Sequence, residues 1–223
     1  MTVPVTIGSG GTELSGDLVV PADAIGVVVF AHGSGSSRFS ARNRAVARSL
    51  QDRRLATLLF DLLDEDEDKY DRHTAQHRFD IEMLTPRLIG ALEHVAGHAA
   101  TARLPLGAFG ASTGAAVALR AAAHRPDLVR AVVSRGGRPD LAGDDLADVR
   151  APTLLLVGER DPQVITLNEE AAARLNAEHE LRIVPGASHL FEEPGTLEQV
   201  ADEAGEWFER TLSASPVHPP RRR

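Results

Sequence analysis

Residues 104–124 read LPLGAFGASTGAAVALRAAAH, an apolar run joined to an alanine-rich helical pattern through Gly110-Ala111-Ser112-Thr113-Gly114. A strand that turns straight into a helix at a G-x-S-x-G sequence needs small residues around the serine. A side chain at Gly110 or Gly114 would collide with the neighbouring strand or helix. The serine is then held in strained backbone geometry with its hydroxyl at the helix start. There, unpaired N–H groups and the helix dipole favour the negative charge that develops on an attacked carbonyl oxygen. Ser112 is therefore a candidate nucleophile. The competing reading is a glycine-rich loop with a capping serine.

The rest of the chain repeats that alternation of apolar run and helix. Strands are expected at 3–7, 14–20, 26–31, 56–60, 106–109, 129–134, 153–157 and 181–184, and helices at 40–53, 78–99, 113–124, 164–177 and 196–212. Such alternation predicts parallel strands with crossover helices. The first two strands have only the turn-rich Gly8-Ser9-Gly10-Gly11 between them and read as an antiparallel hairpin. The last helix carries Leu197, Val200, Ala204, Trp207 and Phe208 at helical spacing, a core-facing stripe. The expected fold is an α/β fold with a mostly parallel eight-stranded sheet, an N-terminal hairpin and helices on both faces. One domain is expected over 1–212, with the proline-rich 213–223 a disordered tail.

Composition narrows the function. At 223 residues and 43% hydrophobic content the chain can bury a sizeable core. A net charge of −8 without a basic patch argues against a nucleic-acid partner. No basic segment followed by an apolar core opens the chain, and no run of about eighteen apolar residues could span a membrane. The reading is a cytoplasmic protein with no membrane partner. The absence of cysteine excludes disulfides, thiolate zinc sites and a cysteine nucleophile.

If Ser112 is a nucleophile, a base and an acid must reach the same edge of the sheet, past the C-terminal ends of the strands. The run ending at Val157 is followed by GERD, which brings Asp161 to that edge, and the run ending at Val184 is followed by PGASH, which brings His189. Serine, aspartate, histidine is the chain order of α/β-hydrolases. In these roles neutral His189 takes the Ser112 proton, and Asp161 fixes the imidazole tautomer. Asp161 before Pro162 also reads as an ordinary turn or cap residue. His179 precedes its strand and belongs at the opposite end of the sheet, while His124 reads as a charge partner at a helix C-terminus. His73 with His77, and His94 with His98, have the four-residue spacing of a shared helical face. Neither pair has an obvious third ligand, so no metal and no cofactor are expected.

A second oxyanion donor should come from the loop after the third strand, Ala31-His32-Gly33-Ser34-Gly35-Ser36-Ser37. The Ser34 N–H is the first choice, with Gly33 the near alternative, and the Thr113 N–H supplies the other half. The bland readings are a plain Gly/Ser loop or a phosphate cradle. Neither G-x-x-x-x-G-K-[ST] nor G-x-G-x-x-G is present.

With HGSGSS, GASTG, GERDP and PGASHLFEEPG in place, the chain resembles small bacterial α/β-hydrolases related to dienelactone hydrolase. The likeness runs over about 27–208 and extends to SSRFSARNR, FDLL and SRGGRPD. It is strongest to a serine branch associated with phosphoribosyltransferases, which implies a possible functional link to such an enzyme. Dienelactone hydrolases proper use cysteine, so serine here leaves lactone specificity unsupported. The resemblance carries the fold and the roles of Ser112, Asp161, His189 and the Ser34 loop, but no substrate.

Only 135–150 separates the sixth and seventh strands, too little for a cap domain. The segment 62–77, LLDEDEDKYDRHTAQH, is the candidate roof, read as an acidic loop. Arg38, Arg42, Arg135 and Arg138 fall on the same edge and could hold a substrate carboxylate or phosphate. The expected function is a serine hydrolase of a small carboxylic ester or thioester acting through an acyl-enzyme. A non-catalytic binding or regulatory module, and an acyltransferase with the same residues, stand as alternatives.

Overall fold

The computed structural model describes residues 1–213. Fifteen elements follow one another along the chain. The strands are β1 Thr2–Ser9, β2 Thr12–Val19, β3 Gly26–Ala31, β4 Leu55–Phe60, β5 Leu106–Ala111, β6 Val129–Arg135, β7 Thr153–Gly158 and β8 His179–Val184. The helices are α1 Ala41–Asp52, α2 Glu65–Thr74, α3 Ile81–Gly97, α4 Thr113–His124, α5 Pro162–Ala172 and α6 Thr196–Ser213, with a 3₁₀ segment at Pro139–Asp148.

All eight strands join one sheet in the order β1-β2-β4-β3-β5-β6-β7-β8. β1 pairs antiparallel with β2 and β2 with β4, while every pair from β4 to β8 is parallel. The expected hairpin is thus followed by a parallel sheet. The five central strands, β3 to β7, are apolar and almost wholly buried because helices cover both their faces.

Strand alternation divides the core into two layers. Val27, Val29 and Ala31 face α3 and α4, and Val28 and Phe30 face α1 and α6. The stripe on α6 is core as expected: Val200, Ala204, Trp207 and Phe208 are buried, and Leu197 packs at the margin. Burying side chains of this size stabilises by about 1.5–3 kcal/mol each. The alanines of α4 let it lie close against the sheet, with Ala115, Ala116, Ala118, Ala121 and Ala122 fully buried. No cap domain interrupts the fold; the β6–β7 connection holds only the 3₁₀ segment.

The segment expected as an acidic loop folds instead as α2. Asp64 caps it by accepting from the N–H groups of Asp66 and Glu67, and Glu67 accepts in return from the Asp64 N–H. Arg87 reaches Glu67 at 2.6 Å, and Arg78 reaches the buried Asp71 at 2.7 Å. Burial alone would raise the Asp71 carboxyl, but Arg78 and two backbone N–H groups hold it below the usual range. Only Asp71 of this helix is buried, so capping and ion pairs, without an apolar stripe, define it. Helix α3 begins at Ile81 instead of 78 because Asp80 is its cap, accepting from the Met83 N–H. Helix α5 is bounded by Pro162 and Ala172, short of 177. Residue 213 closes α6, and the remainder of the expected tail lies outside the described residues.

Candidate active site

Ser112 sits between β5 and α4 with φ 50° and ψ −121°, a conformation that a side-chain-bearing residue adopts only under constraint. The glycines on either side explain how it is reached. A Cβ on Gly110 would strike the backbone of Ala115, and one on Gly114 would strike the Ala31 carbonyl. The connection from β6 braces the turn as well: the Ser112 N–H donates to the Arg135 carbonyl at 3.1 Å, and the Arg138 N–H donates to the Ser112 carbonyl at 3.0 Å. Residues 135–138 therefore hold both backbone groups of the strained residue.

His189 and Asp161 arrive from β8 and β7. His189 Nδ1 lies 2.6 Å from Asp161 Oδ2, and its Nε2 lies 3.5 Å from Ser112 Oγ. With Nδ1 carrying the proton toward Asp161, the Nε2 lone pair faces the serine. Asp161 opens α5, but its carboxylate makes no cap hydrogen bond. The turn-or-cap reading does not describe its side chain. His179, by contrast, opens β8 at the opposite end of the sheet, and His124 pairs with Asp145 at 3.1 Å at the end of α4. His94 near the end of α3 and His98, the extended residue that caps it, have ring centres 6.1 Å apart, and no group of three or more metal-ligating side chains occurs among the described residues.

The histidine loop is positioned by groups that the sequence pattern did not single out. Glu159 accepts from the Gly186 N–H at 2.8 Å and Glu193 from the Ser188 N–H at 3.0 Å. That N–H holds the Glu193 carboxyl below its usual range. Gly158 lets the loop approach β7, since a Cβ there would meet the carbonyl oxygens of Ala187 and Ser188. A glutamate in a post-strand loop has no distinctive spacing, so only these contacts identify its role.

The loop from β3 to α1 lies against the elbow. The Ser34 N–H donates to Thr113 Oγ1 at 2.9 Å, so one expected oxyanion donor is engaged by the side chain of the residue that carries the other. His32 anchors the loop: its Nε2 accepts from the Leu62 N–H at 3.0 Å, which leaves the proton on Nδ1, 3.0 Å from the Gly33 carbonyl. Burial depresses its basicity, so the ring is neutral at pH 7. A cleft of about 540 Å³ between this loop and α2 is lined by His32, Ser36, Arg38, Asp61, Asp64 and Asp68, and its walls include neither Ser112 nor His189.

The four arginines of this edge fall into two kinds. Arg38 is held by Asp61, with Asp17 at 3.8 Å, and Arg138 pairs with Asp140 through Nε at 2.9 Å and Nη2 at 2.8 Å. Among the described residues Arg42 meets only the exposed Glu192, at 3.4 Å, and Arg135 is 7% exposed with buried Nε and Nη1 lacking partners.

Residues 24–207 match a family described as "Alpha/beta hydrolase domain". The chain belongs to this family. A dienelactone hydrolase from Anabaena variabilis shares 53% identity and superimposes with a TM-score of 0.94, covering 95% of this chain and 98% of that one. This member of the family is therefore related to dienelactone hydrolase. Est1E from Butyrivibrio proteoclasticus, at 15% identity and a TM-score of 0.79 over 95% of this chain and 99% of its own, shares the fold. Two Mycobacterium tuberculosis proteins named "Putative phosphoribosyl transferase", from strains CDC 1551 and H37Rv, are 55% identical over 204 residues. The match covers 92% of this chain, which spans 45% of the length of those relatives. Among the described residues no helix is long and apolar enough to cross a membrane.

Proposed function

We propose that this alpha/beta hydrolase cleaves a small carboxylic ester or thioester through an acyl-enzyme on Ser112. The observation that carries the reading is the ordered contact Ser112–His189–Asp161, with a strained serine at a helix start. His189 accepts the serine proton as Oγ attacks the carbonyl, and Asp161 stabilises the imidazolium that results. The proton then passes from His189 to the leaving alcohol or thiol. A water activated by the same nitrogen releases the acid and restores Ser112.

The N–H groups of Thr113 and of the Ser34 loop face the developing oxyanion in this scheme. Because the Ser34 N–H rests on Thr113 Oγ1, it exchanges that acceptor for the substrate oxygen, or Gly33 donates in its place. The reaction requires no metal or cofactor. The name of the longer mycobacterial relatives supports a functional link to phosphoribosyl transfer.

Intact-mass labelling with a small fluorophosphonate, alongside turnover of short p-nitrophenyl esters by unlabelled protein, tests the assignment. One adduct on the wild type and none on Ser112→Ala is the expected result. A folded wild type that neither labels nor turns over any ester overturns it in favour of a binding module.

A further inference from the structure

Arg135 is the cation at this edge whose surroundings, among the described residues, leave its charge unanswered. It ends β6, paired in the sheet with Ala111 of β5 and Leu156 of β7, so it stands between the strands that lead to Ser112 and Asp161. Val133 packs with α1 and α6, and alternation sends Arg135, two residues on, to the same face. Arg42, in the first turn of α1, is close enough to act on it electrostatically and has a buried Nε without a partner. Burial and the Arg42 charge push the Arg135 guanidinium down to about 10, still cationic at pH 7.

A buried guanidinium without an acceptor is costly, and a second one beside it adds repulsion. The arrangement becomes favourable when an oxyanion lies between them, because guanidinium N–H groups match carboxylate and phosphate oxygens. Arg38 and Arg138 show the contrast, each already holding a carboxylate of this chain. The first turn of α1 adds a further positive pole.

We propose that Arg135 and Arg42 form an anion pocket beside Ser112 that receives a carboxylate or phosphate carried by the ester substrate. The enzyme then selects half-esters of dicarboxylic acids, or phosphorylated esters, over neutral esters of the same size. This inference rests on the ester-hydrolase reading for its substrate, and on the guanidinium pair for its anion.

The test measures kcat/KM for p-nitrophenyl hydrogen succinate against p-nitrophenyl butyrate in wild type, Arg135→Met, Arg135→Lys and Arg42→Gln, with a separate sample of each checked for fluorophosphonate labelling. The expected result is a wild-type preference for the anionic ester that drops by about tenfold or more, through KM, in Arg135→Met and Arg42→Gln and is partly kept in Arg135→Lys. Thermal melting supplies a readout that does not depend on turnover. Succinate or inorganic phosphate should raise the wild-type Tm and leave that of Arg135→Met unmoved. A response to only one of the two identifies the oxyanion. A wild type that is competent to label, yet shows no anionic preference and no thermal response, overturns the pocket and leaves the hydrolase reading intact. An unlabelled protein with an anion-dependent Tm does the reverse.

Discussion

The serine elbow and the loop that carries His189 meet at one candidate site, yet they are shaped in opposite ways. At the elbow, five consecutive residues contain most of the cause: glycines clear the space, and the chain has one route from β5 into α4. His189 is placed by side chains far along the chain, Asp161 28 residues before it and Glu159 27 residues before Gly186. The difference teaches that backbone sterics act locally and leave a motif, whereas hydrogen bonds that orient a loop leave none. It also appears in the distances, 2.6 Å from His189 to Asp161 against 3.5 Å from His189 to Ser112. The imidazole is held closely by Asp161 and lies farther from Ser112; under the proposed mechanism substrate tightens the second contact.

Removing the chemistry at the elbow while keeping its shape should have the largest effect. Ser112→Ala is expected to lower kcat by about 10⁵-fold or more with the fold retained, measured by ester turnover alongside circular dichroism. Asp161→Asn tests the other side. It preserves volume but presents the wrong hydrogen-bond partner to Nδ1, and a loss of about 10⁴-fold in kcat is expected; a loss below tenfold would show that His189 is oriented by its loop alone.

Glu193→Gln sharpens the contrast further, because it touches no reacting atom. It should lower kcat by about 10- to 100-fold through misplacement of the His189 loop, with KM nearly constant and fluorophosphonate labelling slowed. A change in Tm without a change in kcat would make Glu193 merely structural.

The smallest effect belongs to His32, at the root of the Ser34 loop. Its folded-state pKa lies below the ordinary 6.5, so the unfolded chain binds a proton that the folded chain resists. The contribution is complete above about pH 6.5 and is lost as the pH falls toward the depressed value. His32→Gln should therefore flatten the decline in Tm between pH 7 and pH 5; an unchanged slope would exclude His32 as its source.

Much of this architecture is legible from periodicity. The central strands and α4 declare themselves because burial on both faces demands apolar residues throughout. Helix α2 does not, since a helix held by an Asp64–Glu67 capping box and by Arg78 and Arg87 shows no apolar stripe to count. The four edge arginines look alike as letters. Asp61 and Asp140 neutralise two of them, one on a following strand edge and one two residues away, and the fold leaves Arg135 buried beside Arg42.

The sequence by itself determined the order of the strands and of the helices other than α2, and which residues arrive at the C-terminal edge, because steric limits at glycine and the period of apolar burial act over a few residues. The tertiary structure alone decided which carboxylates tie down the histidine loop, that the Ser34 N–H meets Thr113, and that Arg135 lacks a carboxylate partner among the described residues. Those outcomes depend on directions and distances between segments far apart in the chain, and a hydrogen bond or an unpaired charge exists only once those segments have been brought together.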